Sequence, residues 1–186
     1  MTEKYEVAVI VGSLRADSYS SRLAQALISV APASLTFRSV GIATLPLYNQ
    51  DLDENPPAPY TEFRNAISRA AAVLFVTPEY NRSVPGGLKN AIDVGSRPYG
   101  RNAFDAKPAA VVSQTPGAMG GFGANHAIRQ SLVFLNMPTM QQPEAYFGHS
   151  DKLFGPGGTI ANEGTRAFLT KFMQAFADWV AIHAGT

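Results

Sequence analysis

Short apolar runs alternate along the chain with longer stretches in which apolar residues recur at helical spacing. The runs have the length of buried strands, and the clearest of them, Ala72 to Val76, is followed directly by a threonine and a proline. Five strands are predicted, within Glu6 to Val11, Leu35 to Ile42, Ala72 to Val76, Pro108 to Ser113 and Thr139 to Phe147. The last of these is interrupted by Pro143, so it is expected to be short.

The longer stretches predict five helices and one turn near the end of the chain. The helices cover Ser20 to Val30, Thr61 to Ala70, Leu88 to Val94, Ala124 to Leu135 and Glu163 to Ile182, and the turn covers Gly155 to Gly158. The last helix has the clearest apolar stripe, with i, i+3, i+4, i+7, i+11 spacing. That stripe consists of Leu169, Phe172, Met173, Phe176 and Val180.

Strands that alternate with helices predict right-handed βαβ units, and therefore a parallel sheet with helices on both faces. Five strands in 186 residues fit an α/β, flavodoxin-like three-layer sandwich with strand order 2-1-3-4-5, formed by residues 1–186 as a single domain. Such sheets bind ligands beyond the carboxyl ends of the strands, at the switch point between strands 1 and 3. The loops after strands 1, 3 and 4 are therefore the candidate binding loops.

Composition narrows the chemistry that these loops can perform. The chain has 46% hydrophobic and 16% charged residues, which indicates a globular core, and it has no cysteine. Disulfides, thiolate nucleophiles, zinc–thiolate centres and cysteine-held iron–sulfur clusters are thereby excluded. Fifteen basic against fourteen acidic residues give a net charge of +1, so no nucleic-acid partner is expected. Many of the 16 glycines and 13 prolines lie in the binding loops and in a proline-rich loop from Ala43 to Pro59.

No segment of the sequence indicates export or membrane insertion. The longest apolar run, Ala70 to Val76, has only seven residues, whereas a membrane-spanning helix needs about 20. A cytoplasmic location without a membrane partner is therefore expected.

The first loop, Gly12 to Ser20, has the residues of a phosphate site. Ser13, Ser18 and Ser20 supply hydroxyl groups, Arg15 supplies a charged fork, and the helix that follows begins with free N–H groups. The alternative is that a serine only caps the helix and that the arginine is a solvated surface charge. The dinucleotide motif G-x-G-x-x-G does not follow strand 1, and the P-loop motif G-x-x-x-x-G-K-[ST] does not occur in the sequence. A ligand with a single phosphate therefore fits this loop better than FAD or a P-loop nucleotide.

The second loop, Thr77 to Gly87, contains two prolines that stiffen its backbone, which suits a loop that holds a planar polar ligand. Tyr80 can stack on such a ligand and Asn81 can hydrogen-bond along its edge, whereas Glu79 has an alternative as a helix cap or a dimer contact. The polar residues of the next helix form either a solvated face or an intersubunit face. They are Lys89, Asn90 and Asp93.

The third loop, Thr115 to Gly121, is rich in glycine, which permits close approach of the backbone to a bulky ligand. In isolation, a tight turn is the simpler interpretation of this loop. The three histidines, His126, His149 and His183, lack metal-ligand spacing and are expected to be structural or solvent-facing, and no metal site is predicted. Because no carboxylate pair or nucleophile elbow is found either, the chemistry is expected to belong to a bound cofactor.

Two motifs in these loops resemble those of the NADPH-dependent FMN reductase family. They are Gly12-Ser-Leu-Arg-x-x-Ser18 and Pro78-Glu-Tyr-Asn-x-Ser-x-Pro-Gly-x-Leu-Lys-Asn-Ala-Ile-Asp93. The second motif is long and specific, and similar segments follow along nearly the whole chain. The family is flavodoxin-like and includes chromate, quinone and azo reductases.

The resemblance implies FMN as the cofactor and NADPH or NADH as the electron donor. It implies that the FMN phosphate is surrounded by Ser13, Arg15, Ser18 and Ser20, although the family usually has asparagine where Ser20 stands. The isoalloxazine ring would lie along Pro78, Glu79, Tyr80 and Asn81, with Ser83 nearby and with Thr115, Pro116 and Gly117 at its flank.

The activity implied is that of a ping-pong oxidoreductase without a catalytic protein residue. Hydride would pass from NAD(P)H to N5 of FMN, and the electrons would then reach a quinone, a flavin, an azo compound or a metal oxyanion such as chromate. A homodimer or homotetramer is also implied, with the loop from Ala43 to Pro59 close to a partner's flavin. The alternatives are a flavodoxin-type electron carrier, which a charge of +1 disfavours because such carriers are usually strongly acidic, and a non-enzymatic flavin-binding module.

Overall fold

The computed structural model describes residues 4–155 and 158–184, and its centre is a five-stranded parallel sheet. The strands are β1 (Tyr5–Val11), β2 (Leu35–Ser39), β3 (Ala72–Pro78), β4 (Ala109–Gln114) and β5 (Ala145–Phe147). Their order across the sheet is β2-β1-β3-β4-β5, and every neighbouring pair is parallel. This order confirms the predicted flavodoxin-like arrangement, and it places the switch point between β1 and β3.

Five α-helices connect the strands or follow them. They are α1 (Tyr19–Ser29), α2 (Ala58–Arg69), α3 (Gly86–Ser96), α4 (Phe122–Phe134) and α5 (Glu163–His183). Short 3-10 helices at Gln50–Leu52 and Ser150–Lys152 lie in the connecting loops. Within the described part of the chain, no helix has the length and apolar character that crossing a membrane requires.

The sheet separates two apolar clusters, because successive side chains of a strand point to opposite faces. In β1, Val7 and Val9 pack on the side of α1 and α5, whereas Ala8 and Ile10 pack on the side of α2, α3 and α4. The stripe predicted for the last helix is confirmed, since all five of its residues are buried. Burial of side chains of this size contributes about 1.5–3 kcal/mol each, which fixes α5 against the sheet.

The observed boundaries differ from the predicted ones where backbone pairing decides them. β3 continues through Thr77 and Pro78, which pair with the end of β4, although the sequence places both in the second loop. β2 ends at Ser39 instead of Ile42, and β5 begins at Ala145, after the proline that cannot donate a ladder hydrogen bond. In the predicted turn Gly155 to Gly158, residues 156 and 157 lie outside the described residues.

The proline-rich loop between β2 and α2 is fastened to the rest of the molecule by one buried amide. Asn90 of α3 donates from Nδ2 to the carbonyl oxygen of Pro46, and its Oδ1 accepts from the backbone N–H of Tyr48, both at 2.8 Å. Asn90 is only 8% exposed, so the expectation of a solvated or intersubunit face is wrong for this residue. Lys89 and Asp93 form an exposed ion pair at 2.8 Å, which fits a solvated face as well as an intersubunit face.

Replacing Asn90 by alanine is expected to destabilise the protein by about 1–3 kcal/mol, because the carbonyl oxygen of Pro46 and the N–H of Tyr48 lose their partner together and both hydrogen bonds are part-buried. Chemical denaturation measures this change, and limited proteolysis within residues 43–57 should become faster. Lys89→Ala is the matched control at the preceding position of the same helix, and it is expected to change stability by less than about 0.5 kcal/mol. Equal stability of the two variants would contradict the role assigned to Asn90.

Candidate functional site

The loops after β1, β3 and β4 meet at the carboxyl edge of the sheet and line one cleft. The lining residues are Ser13, Arg15, Ser18, Tyr19, Pro78, Glu79, Tyr80, Gln114, Thr115 and Pro116. The cleft is therefore at the position that the strand order predicts for a ligand site.

The first wall of the cleft is the start of α1. Ser18 is the N-cap of this helix, and its Oγ accepts from the backbone N–H of Ser21 at 3.4 Å. The first turn contains no acidic residue. Arg15 is exposed and has no carboxylate partner among residues 4–155 and 158–184. A helix N-terminus and an unpaired guanidinium lie on the same wall, which is a favourable environment for an anion.

The second wall ends in a tight turn that presents an aromatic ring. Tyr80 and Ser83 exchange two backbone hydrogen bonds, of 3.0 and 2.9 Å, around Asn81 and Arg82. The two central residues have φ of 50° and 63°, the left-handed values that a turn of this kind requires. Tyr80 is 48% exposed at the lip of the cleft, so its ring is available to a flat ligand.

Glu79 lies in the same wall, but its carboxylate is directed to another helix. Its Oε2 accepts from the backbone N–H of Ala124 in the first turn of α4, at 3.1 Å, and its Oε1 lies 3.6 Å from Nη1 of Arg82. The helix N-terminus and the guanidinium balance this negative charge, which would otherwise oppose an anionic ligand. Glu79 therefore does cap a helix, as one of the alternatives expected. Its predicted position along the isoalloxazine ring stays a prediction.

Gly123 in α4 allows the second loop to reach this helix. A Cβ at this position would lie 2.4 Å from the carbonyl oxygen of Arg82 and 2.9 Å from Oε2 of Glu79. No side chain fits in that space, so the loop and the helix are in direct backbone contact.

The third wall is formed by the end of β4, where Gln114 is 4% exposed. Its Nε2 donates to Oγ of Ser20 at 2.8 Å, and Ser20 is fully buried. The other end of the amide, Oε1, has no hydrogen-bond partner within the described ranges. The cleft therefore contains one buried acceptor that the protein itself does not satisfy.

Most of the residues predicted from the sequence line this cleft together, whereas four do not. Those four are Ser20, Asn81, Ser83 and Gly117. Ser20 lies behind the wall, bonded to Gln114, and Asn81 and Ser83 belong to the turn that carries Tyr80. The sequence analysis did not identify Tyr19 or Gln114 as lining residues. For Gln114 a signal was available, because it shares the parity of Ala110 and Val112 and therefore faces α1 at the ligand edge.

An aromatic group lies at the far side of the third loop. Nε2 of His126 is 3.0 Å from the hydroxyl of Tyr146, and Phe122 lies against both rings. Burial, followed by the hydrogen bond and charge of Glu144, raises the pKa of Tyr146 to about 12, so its hydroxyl stays protonated at neutral pH. His126 is exposed, as expected. In the part of the chain that the structure describes, no group of three or more His, Asp or Glu side chains could hold a metal ion.

Comparison with known proteins decides the family. The family model described as NADPH-dependent FMN reductase matches residues 5–152. The chain belongs to the NADPH-dependent FMN reductase family. As a member of this family it is an FMN-dependent NAD(P)H oxidoreductase, with FMN as cofactor and NAD(P)H as electron donor.

Relatives with substantial sequence identity match nearly the whole chain. It is 59% identical to a quinone reductase of Pseudomonas putida, over 98% of both chains. It is 43% identical to a 2-hydroxy-1,4-benzoquinone reductase of a Burkholderia species, over 94% of this chain and 96% of the relative. Among solved structures, the flavoenzyme NAD(P)H:(acceptor) oxidoreductase FerB of Paracoccus denitrificans superposes with a TM-score of 0.91 and 40% identity, over 96% of this chain and 98% of that one.

The residues of the cleft fit FMN. The N-terminus of α1 and Arg15 suit a phosphate, and the exposed ring of Tyr80 suits a flat ring system. Membership of the FMN reductase family thus explains a cleft that is lined both by anion-binding groups and by an exposed aromatic ring.

Proposed function

We propose that this FMN reductase is an NAD(P)H:quinone oxidoreductase. One observation carries the proposal: a single cleft is lined by an arginine without a carboxylate partner in the described residues, by a helix N-terminus and by an exposed tyrosine ring, groups that suit the phosphate and the flat ring of FMN. The names of the relatives supply the acceptor, since quinone reductases match at up to 59% identity over nearly the full length.

In this proposal the predicted site residues hold the cofactor at three points. Ser13, Arg15 and Ser18 bind the phosphate, and Ser20 supports them from behind through its bond to Gln114. Pro78, Glu79, Tyr80 and Asn81 follow the isoalloxazine ring, with Ser83 in the same turn, and Thr115, Pro116 and Gly117 flank it from the third loop.

FMN supplies the redox chemistry when it is bound, since its ring takes up the hydride of NAD(P)H and releases two electrons to an acceptor. The chain's own residues bind the cofactor and orient it in the cleft. Arg15 neutralises phosphate charge, and the turn that carries Tyr80 fixes one side of the pocket. In the net reaction, NAD(P)H is oxidised to NAD(P)⁺, and the quinone gains two electrons and two protons, one from the hydride and one from solvent. This balance needs no acid or base from the protein, in agreement with a cleft whose one lining carboxylate caps α4.

Anaerobic titration of the purified holoenzyme with NADPH and with NADH tests the proposal. Rapid bleaching of the flavin band is expected, followed by its return when a benzoquinone or naphthoquinone is added. Steady-state kcat/KM should then be higher for quinones than for free flavin, an azo dye or chromate. A flavin that stays oxidised in the presence of NAD(P)H would favour an electron carrier or a binding module, and a preference for chromate would overturn the assignment of the acceptor.

We also propose that the enzyme is a homo-oligomer that pairs through the outer face of α3 and α4. Val133 and Phe134 are 78% and 72% exposed there, and a groove beside Phe134 contains the Lys89–Asp93 ion pair. A two-fold interface places one patch against itself, so the patch must be self-complementary, and a projecting ring, a groove and both signs of charge allow this face to be so. Sedimentation equilibrium at micromolar concentration is expected to give a dimer or a tetramer, and a monomer would contradict the proposal.

We propose a cytoplasmic location for the enzyme, where NAD(P)H is available to it. A fusion of the full chain to a fluorescent protein, followed by fractionation of the cells that express it, tests this location. Recovery of the fusion in the periplasmic or membrane fraction would contradict the proposal.

A further inference from the structure

A second groove lies beside the edge strand β2, on the face of the sheet that α2 covers. It has a volume of about 360 Å³, and it runs between one side of α2, from Pro59 to Arg69, and residues 38–45 at the end of β2 and beyond it. Among the described residues, none lines both this groove and the cleft formed by the loops after β1, β3 and β4. Sites for small molecules have volumes of roughly 300–1,000 Å³. This space, called the β2 groove below, is therefore large enough for a separate ligand.

The floor of the β2 groove is apolar and belongs to the core. Val40 and Phe63 are only 7% and 4% exposed, and Leu45 packs against the same cluster. Gly41 lines the groove as well, and a Cβ on this residue would have no atom of the described structure within 4 Å. The groove therefore has open space above an apolar floor, which suits the apolar body of a ligand.

One end of the β2 groove has more positive than negative charge. The end of α2 meets β1 there, because the backbone N–H of Ala71 donates to the carbonyl oxygen of Glu6 at 2.8 Å. Arg38 donates to the Glu6 carboxylate at 2.9 and 3.1 Å, and this hydrogen bond, with a weaker contribution from the charge of Arg69, lowers the pKa of Glu6. Arg69 is exposed and forms no ion pair within residues 4–155 and 158–184. Two guanidinium groups thus lie near one carboxylate.

The third charged residue of the β2 groove, Glu62, is too distant to neutralise Arg69. It lies seven positions earlier in α2, which is about 10 Å along the helix axis. Both residues are exposed, and the attraction between solvated charges is largely screened at about this distance. The apolar floor therefore has an unpaired cation at one end and a carboxylate about two helical turns away.

We propose that the β2 groove binds a small aromatic carboxylate, with the ring over Val40 and Phe63 and the carboxylate at Arg69. A guanidinium group binds a carboxylate through two parallel hydrogen bonds, so one free arginine suits one carboxylate. A ligand with several negative charges, such as a nucleotide, would be repelled by Glu6 and Glu62. A rigid ring covers the floor with a smaller loss of conformational freedom than a flexible alkyl chain. This site is independent of the proposed acceptor and of the residues proposed to bind FMN.

Titration of the ¹⁵N-labelled, FMN-saturated holoenzyme with 1-naphthoate tests the proposal. The readout is the shift of the backbone amide resonances of Gly41 and Ala66, and saturable binding in the millimolar range or tighter is expected. Three comparison probes separate the parts of the ligand. Naphthalene-1-methanol has the ring without the charge, acetate has the charge without the ring, and octanoate has a flexible chain. The first two should bind at least about tenfold more weakly than 1-naphthoate, and octanoate should also bind more weakly.

Substitution of Arg69 tests the charged end of the groove. Arg69→Ala should weaken binding of 1-naphthoate about tenfold, the size of one charge-assisted hydrogen bond, and Arg69→Lys should recover part of the loss. Neither substitution should change the affinity for naphthalene-1-methanol. Arg166→Ala is the matched control, because Arg166 is also an exposed arginine of a helix but lies beside Glu163, outside the groove. It should leave binding of 1-naphthoate unchanged.

Substitution of Gly41 tests the location of the ring. Gly41→Trp should fill the open space and abolish binding of 1-naphthoate, whereas Gly41→Ala adds only a Cβ in that space and should retain it. Both variants should keep the NAD(P)H oxidation of the unsubstituted enzyme, because Gly41 does not line the cleft. Thermal unfolding of both variants reports whether the fold is retained.

Four outcomes would overturn the inference. The first is the lack of saturable binding of 1-naphthoate by the unsubstituted holoenzyme, which is decisive even if no variant folds. The second is equal affinity for 1-naphthoate and naphthalene-1-methanol or octanoate, which would indicate an apolar surface without selection for an aromatic acid. The third is unchanged affinity in Gly41→Trp. The fourth is a set of shifts confined to the cleft, around Tyr80 and Thr115, which would place the ligand there instead.

Discussion

Arg15→Ala is expected to weaken FMN binding by roughly 10- to 150-fold, the equivalent of a charge-assisted hydrogen bond of about 1.5–3 kcal/mol. The structure gives the reason. Arg15 is exposed on the wall formed by the start of α1 and pairs with no carboxylate in the described ranges, so its charge is available to a ligand. The apoprotein should be nearly as stable as before, because an exposed side chain is removed.

Riboflavin provides the matched ligand control for this prediction, because it lacks the phosphate. The substitution should leave riboflavin affinity within about twofold while FMN affinity falls, and the salt dependence of FMN binding should become weaker. Arg22→Ala is the control variant, since Arg22 is nearby in α1 but is already paired with Asp17. An equal loss of FMN and riboflavin affinity in Arg15→Ala would show that the arginine shapes the loop instead of binding phosphate.

Gly123→Ala should displace the second loop and abolish tight FMN binding, although it adds a single methyl group. The new Cβ would lie 2.4 Å from the carbonyl oxygen of Arg82, and a backbone atom cannot move aside as the end of a flexible side chain can. Overpacking of this kind costs about 1–3 kcal/mol. The displacement would also remove Glu79 from the N-terminus of α4 and shift Tyr80 at the lip.

Gly86→Ala is the matched control for this substitution, because it also changes a glycine near a helix start but adds its Cβ where nothing lies within 4 Å. It should retain FMN and NAD(P)H oxidation, whereas Gly123→Ala should lose at least tenfold in FMN affinity and melt at a lower temperature. The measurements are flavin fluorescence and thermal unfolding of both apoproteins. Equal FMN affinity in the two variants would contradict the contact between loop and helix.

The order of the sheet could be predicted from the sequence because alternation of strand and helix leaves few arrangements open, and because Ala72–Pro78 is almost entirely apolar. The ends of the strands could not. Whether Thr77 and Pro78 belong to β3 depends on their pairing with Ser113 and Gln114, which are more than thirty positions away along the chain. Local propensity carries no information about such a partner.

The same limit explains which site residues could be predicted. Motifs identified the loops, and the loops do meet, but side-chain direction within a loop follows from tertiary contacts. Ser20 carries a hydroxyl group that suits a phosphate ligand, but this hydroxyl is buried and accepts a hydrogen bond from the amide of Gln114. Asn90 is a polar residue at helical spacing from other polar residues, which in the sequence suggests an exposed helix face. In the structure the proline-rich loop covers it. Both outcomes depend on a residue more than forty positions away.

The capping of α4 by Glu79 has a consequence for local unfolding. The N-cap position of this helix is Gly121, which has no side chain that could accept a hydrogen bond. The N–H of Ala124 in the first turn therefore donates to Glu79, more than forty residues earlier in the chain. Cleft loop and helix start should therefore open as one cooperative unit, which amide hydrogen exchange can detect. Loading of the cofactor would then slow exchange at Ala124, on a helix whose opposite end carries Val133 and Phe134.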